Sequence, residues 1–436
     1  MSHIDPITVG LIGMGIFLLL LLLKMPIGFA MALVGFAGFA YLTSFSSALS
    51  KLAIVPYRAI ASYDFFVVPL FVFMANVCLQ FRFGEDLYGM TFKWMGGLRG
   101  GLAMATIVAC AIFAAISGSS IGTALTVGVV ALAEMKRYNY NRLLATGCVA
   151  AGGTLGIMIP PSNPMILYGI MTETSIGKLF IGGVIPGLIQ ATLFLITIII
   201  VTLIRPDMAP KGPRTSIKEK IFSLKRGGEI ILLILILLGG LFRGWFTPTE
   251  AGAVGAFVSL LIAILRGRFS WGKFKEACLE TMRTTGMIYT LMIGALVMNY
   301  FLTVSKVPTE LARVVGSLPI PPLGIMAMIM GLQIFLGCFI DALAMLLLLT
   351  PIFFPLALQL GYDPVWFGIM LTLMGEIAAI TPPVGINVYV IKGVAKDTPM
   401  ETIFKGAMLF FFADIVLVVL LLFFPKLALF LPSLMK

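Results

Sequence analysis

The sequence predicts an all-α polytopic membrane protein folded as two inverted repeats, each carrying a re-entrant helical hairpin and a broken transmembrane helix. Three observations carry that expectation. The 436-residue chain is 60% hydrophobic and only 11% charged, with a mean hydropathy of +1.08, more apolar surface than a soluble domain can hide behind so few charges. Two stretches, "MIPPSNPM" at Met158–Met165 and "ITPPVGIN" at Ile380–Asn387, interrupt long apolar runs with paired prolines, each of which removes a backbone donor. Landmarks of the first half also return in the second: Pro160 and Pro382 stand 222 residues apart, as do Pro26 and Pro248, while Gly118 and Gly337 stand 219 apart.

A membrane span needs roughly 20 apolar residues, so the chain has room for about a dozen crossings or re-entrant pieces. The first repeat is expected over residues 1–204. Its opening run, "ITVGLIGMGIFLLLLLL", reads as a membrane helix and not a signal peptide, because Lys24 follows the apolar stretch and no small-residue cleavage site comes after it. Residues 1–98 supply scaffold helices and an amphipathic interfacial arm, "SALSKLAIVPYRAIAS". A hairpin over 99–135 turns near "SGSS", a broken helix covers 140–172, and a helix over 178–204 closes the unit. Residues 205–228 are a polar linker. In the second repeat, 229–436, scaffold helices and a second arm (~268–285) fill 229–304; the hairpin spans 322–360 with its tip at "GCFID". The second broken helix then covers 364–395 and a C-terminal helix 406–432.

Charge sets the orientation. With the basic linker placed in the cytoplasm, most of the 30 Lys and Arg fall on that side. This works only if the first hairpin enters from the cytoplasm and the second from the opposite face, which makes the repeats inverted and puts the N-terminus in the periplasm. The net charge of +11 is then a topology signal, with no nucleic acid implied. The five cysteines show no CxxC spacing, and His3 is the only histidine; disulfides, zinc sites and most hydrolase, haem and proton-relay schemes lack the residues they need.

Inverted repeats with discontinuous helices imply a secondary transporter whose substrate and ion sites lie near the bilayer midplane. Irregular backbone at that depth is tolerated where it lines a cavity or packs in protein. Freed carbonyls and hydroxyls suit a cation such as sodium, and half-helix N-termini attract anions. The first cluster comprises Ser117, Gly118, Ser119, Ser120 and Thr123 facing Gly156, Pro160, Ser162 and Asn163; the second comprises Gly337, Asp341, Thr381, Pro382, Gly385 and Asn387. Ser119, Ser120, Ser162, Asn163, Asp341 and Asn387 are the candidates for substrate. Ser117, Gly118, Gly156, Pro160, Gly337, Asp341, Thr381, Pro382 and Gly385 are the candidates for two or more sodium ions. A single Pro-Pro reads as a kink and "SGSS" as close helix packing; two breaks at matching positions favour a site. Asp341 stands out because an intramembrane carboxylate is costly and functional by default. Asp414, also in an apolar run, reads as a helix-packing or partner-facing residue, Glu376 as a brace for the break, and Glu134 and Glu250 as interfacial.

At these residues the sequence resembles the large membrane subunit of TRAP (tripartite ATP-independent periplasmic) transporters of the C4-dicarboxylate type. The motifs "SGSSIGTA", "GIMIPPSNPMILYG", "FTPTEAGAVGA", "GCFIDALAM" and "GEIAAITPPVGINVYV" cover nearly the whole chain. The resemblance implies an elevator-type, sodium-driven importer in a bacterial inner membrane. It also implies an organic acid anion delivered by a periplasmic binding protein, and a small membrane subunit clamping the large one. The chain starts at a large-subunit-like helix, so the small subunit is expected as a separate chain. Carried over, Ser120 and Ser162 would lie near substrate and Asp341 near substrate or sodium. The rivals are a sodium–dicarboxylate or citrate symporter without a binding protein, an intramembrane aspartyl enzyme built on Asp341 and Asp414, and a non-transporting channel or assembly subunit.

Overall fold

The computed structural model describes residues 4–213 and 215–435, with the side chain of Arg226 left aside. His3 and the linker's Arg214 lie outside the described residues. The fold is all-helical: the only other regular elements among the described residues are two short 3-10 turns, Tyr63–Phe66 and Pro206–Met208. Among the described residues, seven helical spans are long and apolar enough to cross a membrane, the first broken helix counted as one span, Arg142–Thr172. Their outward faces carry large apolar side chains such as Leu203, Phe257 and Leu265, all exposed, as expected where lipid and not water is the solvent.

The second half follows the first element by element. Helix Ile27–Leu42 has its counterpart in Pro248–Leu265. The hairpin of Gly101–Ser117 and Ser120–Arg137 matches that of Pro322–Gly337 and Ala342–Gln359. The broken helix Arg142–Met158 and Asn163–Thr172 matches Pro364–Ile380 and Ile386–Val394, and Ile176–Ile204 matches Met400–Phe423. Both Pro-Pro bonds, Pro160–Pro161 and Pro382–Pro383, are cis.

The two broken helices run in opposite directions. At one end Tyr168 donates its hydroxyl to the Pro364 carbonyl at 2.7 Å. At the other end Lys136 and Arg142, flanking the start of the first broken helix, meet Asp397, just past the end of the second, at 2.8 and 3.6 Å. The linker joins this latter end: Asn141 donates to Met208 O, and Gly212 to Gly96 O. Arg266 and Arg268 reach Asp86, and Arg266 also reaches Glu229. These basic loops therefore gather through ion pairs and backbone bonds, although they come from distant parts of the chain.

Three details differ from the sequence expectation. The second arm is not a separate element; residues ~268–285 form the start of one 35-residue helix, Trp271–Ser305. In the first half the arm Phe45–Ala61 stops at Ser62, whose extended backbone (φ −73°, ψ 134°) separates it from Val67–Gln80. The linker is shorter than its polar composition suggests: Ser216 and Glu219 form a reciprocal capping box, and the helix Ile217–Phe242 begins there. The C-terminal helix is two pieces, Met400–Phe423 and Lys426–Ser433, parted at Pro425, which has no N–H to continue the ladder.

Close packing rests on small residues, as membrane interfaces favour. A Cβ on Gly147 would lie 2.3 Å from the Gly406 carbonyl carbon, and one on Gly294 would lie 2.1 Å from Gly28 O. The first contact seats Met400–Phe423 against the first broken helix; the second joins Ile27–Leu42 to Trp271–Ser305.

Candidate functional site

Both hairpin tips and both breaks border one cavity of about 640 Å³. From the first half it takes Ser117, Gly118, Ser119, Ser120 and Asn163; from the second it takes Gly337, Asp341 and Asn387. Gly156, Pro160, Ser162, Thr381, Pro382 and Gly385 are not part of this lining. Ser162 and Thr381 are buried side chains of the breaks.

At the first tip, helix Gly101–Ser117 ends in Gly118, whose φ of +55° suits glycine. A Cβ there would sit 2.9 Å from Pro161 O, so the missing side chain is what lets tip and break touch. Ser119 then caps the returning helix, its hydroxyl accepting the Gly122 N–H at 3.2 Å. The hydroxyls of Ser117 and Thr123 share a hydrogen bond of 2.6 Å. A Cβ on Gly156 would meet Ser119 O at 2.5 Å and the Thr123 hydroxyl at 2.6 Å. Hydroxyls and carbonyls thus crowd against the first break, and the buried Ser162 Oγ has no partner among the described residues.

The second tip is built the same way with different chemistry. Asp341, 222 residues after Ser119, caps Ala342–Gln359 by accepting the Leu343 N–H at 3.1 Å. Its turn, residues 338–341, is longer than the Gly118–Ser119 turn of the first hairpin. A Cβ on Gly337 would meet Ala378 Cβ at 2.5 Å, so this tip packs on its broken helix. Thr381 donates its hydroxyl to Ile377 O at 2.5 Å, and Gly385 starts the next half-helix at φ +44°.

Asn387 departs from the expected grouping. It belongs by sequence to the second break, yet its Oδ1 accepts the Ser120 hydroxyl at 2.7 Å and its Nδ2 donates to Ala150 O at 3.0 Å. It ties the second repeat to the first hairpin. Asp414 does not approach the cavity: with Glu376 it flanks Gln190 in the protein interior. Of its two expected readings, helix packing and partner-facing, the structure gives helix packing, because the side chain is fully buried between helices. Sequence reasoning missed the opposite wall, where Asn76, Thr284 and Thr290 line the cavity. The signal was legible, since Asn76 interrupts an apolar run; in the structure it donates to Thr281 at 3.1 Å.

The electrostatics follow from the backbone. The helices Ser120–Arg137, Asn163–Thr172, Ala342–Gln359 and Ile386–Val394 all begin at the cavity. Their partial positive ends converge on it, an arrangement that favours an anion. Among the described residues no Lys or Arg is in the lining, and Asp341 is its one ionisable side chain. Four other helices, Gly101–Ser117, Arg142–Met158, Pro322–Gly337 and Pro364–Ile380, end at the tips and breaks, and the last carbonyls of a helix are the kind of oxygen a cation takes.

Residues 14–427 match the family described as the DctM component of the tripartite ATP-independent periplasmic transporters. The chain belongs to that family. TRAP large permeases are secondary transporters of organic acids and not enzymes, and this one is a multi-pass membrane protein. It is 35% identical to a C4-dicarboxylate TRAP transporter large permease protein of Pseudomonas aeruginosa, over 92% of this chain and 93% of the relative. It is 32% identical to a sialic acid TRAP transporter large permease protein of Vibrio cholerae, over 95% and 96%. It is also 33% identical to an isethionate TRAP transporter permease protein of Oleidesulfovibrio alaskensis, over 91% of this chain but 61% of that longer relative. The fold of this TRAP permease is shared with the YdaH transporter of Alcanivorax borkumensis, known from a crystal structure, at a TM-score of 0.58 and 14% identity over 87% and 89% of the two chains.

Proposed function

We propose that the protein imports an organic acid anion across a bacterial inner membrane, driven by a sodium gradient. The convergence of helix N-termini on a cavity without Lys or Arg carries the reading: it offers an anion diffuse positive potential in place of a salt bridge. The relatives are named for C4-dicarboxylates and sialic acid, which carry carboxylates, and for isethionate, which carries a sulfonate. The substrate proposed here is a carboxylate like the first two, held by Ser119, Ser120, Asn163 and Asp341.

Sodium is proposed as the co-transported ion. The donors around the first break are hard oxygens: the Ser117 and Thr123 hydroxyls, the Ser119 and Pro161 carbonyls, and the unpartnered Ser162 hydroxyl. A second ion would sit at the second tip with Asp341, Gly337, Thr381 and Gly385. The hairpins and broken helices would move together, as an elevator, against a scaffold of Ile27–Leu42, Val67–Gln80, Pro248–Leu265 and Trp271–Ser305. Their antiparallel course supports inverted repeats, with the basic end cytoplasmic and the N-terminus periplasmic. Family membership supports two partners, a periplasmic binding protein that delivers substrate and a small membrane subunit.

The test is sodium-driven uptake in proteoliposomes containing both membrane subunits and supplied with the loaded binding protein. Asp341→Asn should abolish it; uptake at the wild-type level would refute the coupling role. Ser120→Ala should weaken uptake without preventing assembly. Ligand screening of the cognate binding protein would identify the carboxylate.

A further inference from the structure

A fully buried polar cluster lies outside the cavity. Gln190, on Ile176–Ile204, donates its two amide N–H bonds to two acids, reaching Glu376 Oε2 and Asp414 Oδ1 at 2.8 Å each. Glu376 lies on Pro364–Ile380 and Asp414 on Met400–Phe423, and all three side chains are fully buried. Glu376 Oε1, Asp414 Oδ2 and Gln190 Oε1 have no partner among the described residues. The bonded oxygens share one nitrogen, so they lie no farther apart than twice 2.8 Å.

Two ionised carboxylates cannot persist so close together away from water when the donors around them, the Gln190 amide and the Met158 backbone N–H beside Glu376, are all neutral. Positive charge must enter the cluster. No group of three or more His, Cys, Asp or Glu able to hold a metal occurs among the described residues. Divalent cations call for roughly six oxygens, whereas here three are free and the central amide aims its hydrogens between the acids. A proton needs only a pair of oxygens. We propose that Glu376 and Asp414, bridged by Gln190, form a proton-binding site that holds one shared proton, buried apart from the substrate cavity.

The step is simple to balance. One proton from solvent adds to one carboxylate oxygen, making a neutral carboxyl; the other acid keeps its negative charge, which the Gln190 N–H and the new O–H stabilise. Glu376 stands about a turn and a half before Thr381 at the second break. Loss of the proton would place a second negative charge on or beside the helix that ends there.

Infrared difference spectroscopy of the purified full chain in lipid nanodiscs tests this, with the proton itself as ligand. At about neutral pH in sodium-free buffer, wild type minus the Glu376→Gln/Asp414→Asn double variant should show the C=O stretch of a protonated carboxyl. The stretch should shift in deuterium oxide and persist when sodium chloride is added. Either single variant should alter the same band, because one proton serves both acids; this reading remains available where the double variant does not fold. A difference containing only ionised carboxylate bands would overturn the proposal. So would a band unchanged in both single variants, or one that sodium removes, which would make the site a metal site. Amide substitutions imitate the protonated form, so failure of both single variants to fold would also overturn it.

Discussion

The hydrogen bond between Ser120 and Asn387 is the most direct polar link between the first hairpin and the second broken helix, and its strength can be measured. Asn387→Ala removes both of its bonds, at 2.7 Å to Ser120 and 3.0 Å to Ala150 O, at a fully buried position. Ser120→Ala removes only the first and leaves the Asn387 Oδ1 without its donor. Stranding a buried partner costs about 1–3 kcal/mol, but comparable bonds in membrane proteins couple by only about 0.6 kcal/mol on average and ~1.7 at most. The geometry is short and shielded from water, which places the expected coupling near the top of that range, at about 1–1.5 kcal/mol. A double-mutant cycle of Ser120→Ala and Asn387→Ala, followed by unfolding in mixed micelles with increasing SDS, reads it. A coupling below about 0.3 kcal/mol, the level at which independent sites add, would refute the claim that these residues tie the halves together.

Further outcomes follow from the packing and the basic loops. Gly406→Val should lower stability by about 1–3 kcal/mol or more, because its Cβ would fall 2.1 Å from Leu143 O; the amount of folded protein by size-exclusion chromatography checks this. Gly118→Ala should weaken transport more than stability, since the added Cβ meets Pro161 O where tip and break touch. The Lys136 ammonium bonded to Asp397 holds that carboxyl below the usual range. A depressed value means the stabilisation is present above the ordinary carboxylate range and lost as pH falls through the folded-state value. The melting difference between wild type and Asp397→Asn should therefore shrink in acid and in high salt; a difference that persists at low pH would assign it to another cause.

Much of the architecture could be read from residues because the determinants were local. Paired prolines remove donors wherever they occur, and Pro160 and Pro382 announced two breaks without any knowledge of packing. Glycine and serine at 118–120 marked a tight tip for the same reason. What depends on distant partners stayed hidden. Asn387 is adjacent in sequence to the second break, so nothing nearby indicates that it reaches Ser120. Gln190 stands alone in an apolar helix, and only the fold brings Glu376 and Asp414 to its amide. The amphipathic start of Trp271–Ser305 looks like an independent arm because a local pattern cannot show whether the helix continues. The first arm stops at Ser62, and its pattern alone gives no way to tell the two cases apart.

The way the chamber gathers positive potential bears on how such proteins diversify. A guanidinium offers a planar fork and therefore favours ligands that fit it. Amide ends of helices impose no such template and cannot be deleted by exchanging a side chain. New acids can then be accommodated by reshaping walls such as those at Asn76, Thr284 and Thr290, while the means of attracting charge depends on no single side chain.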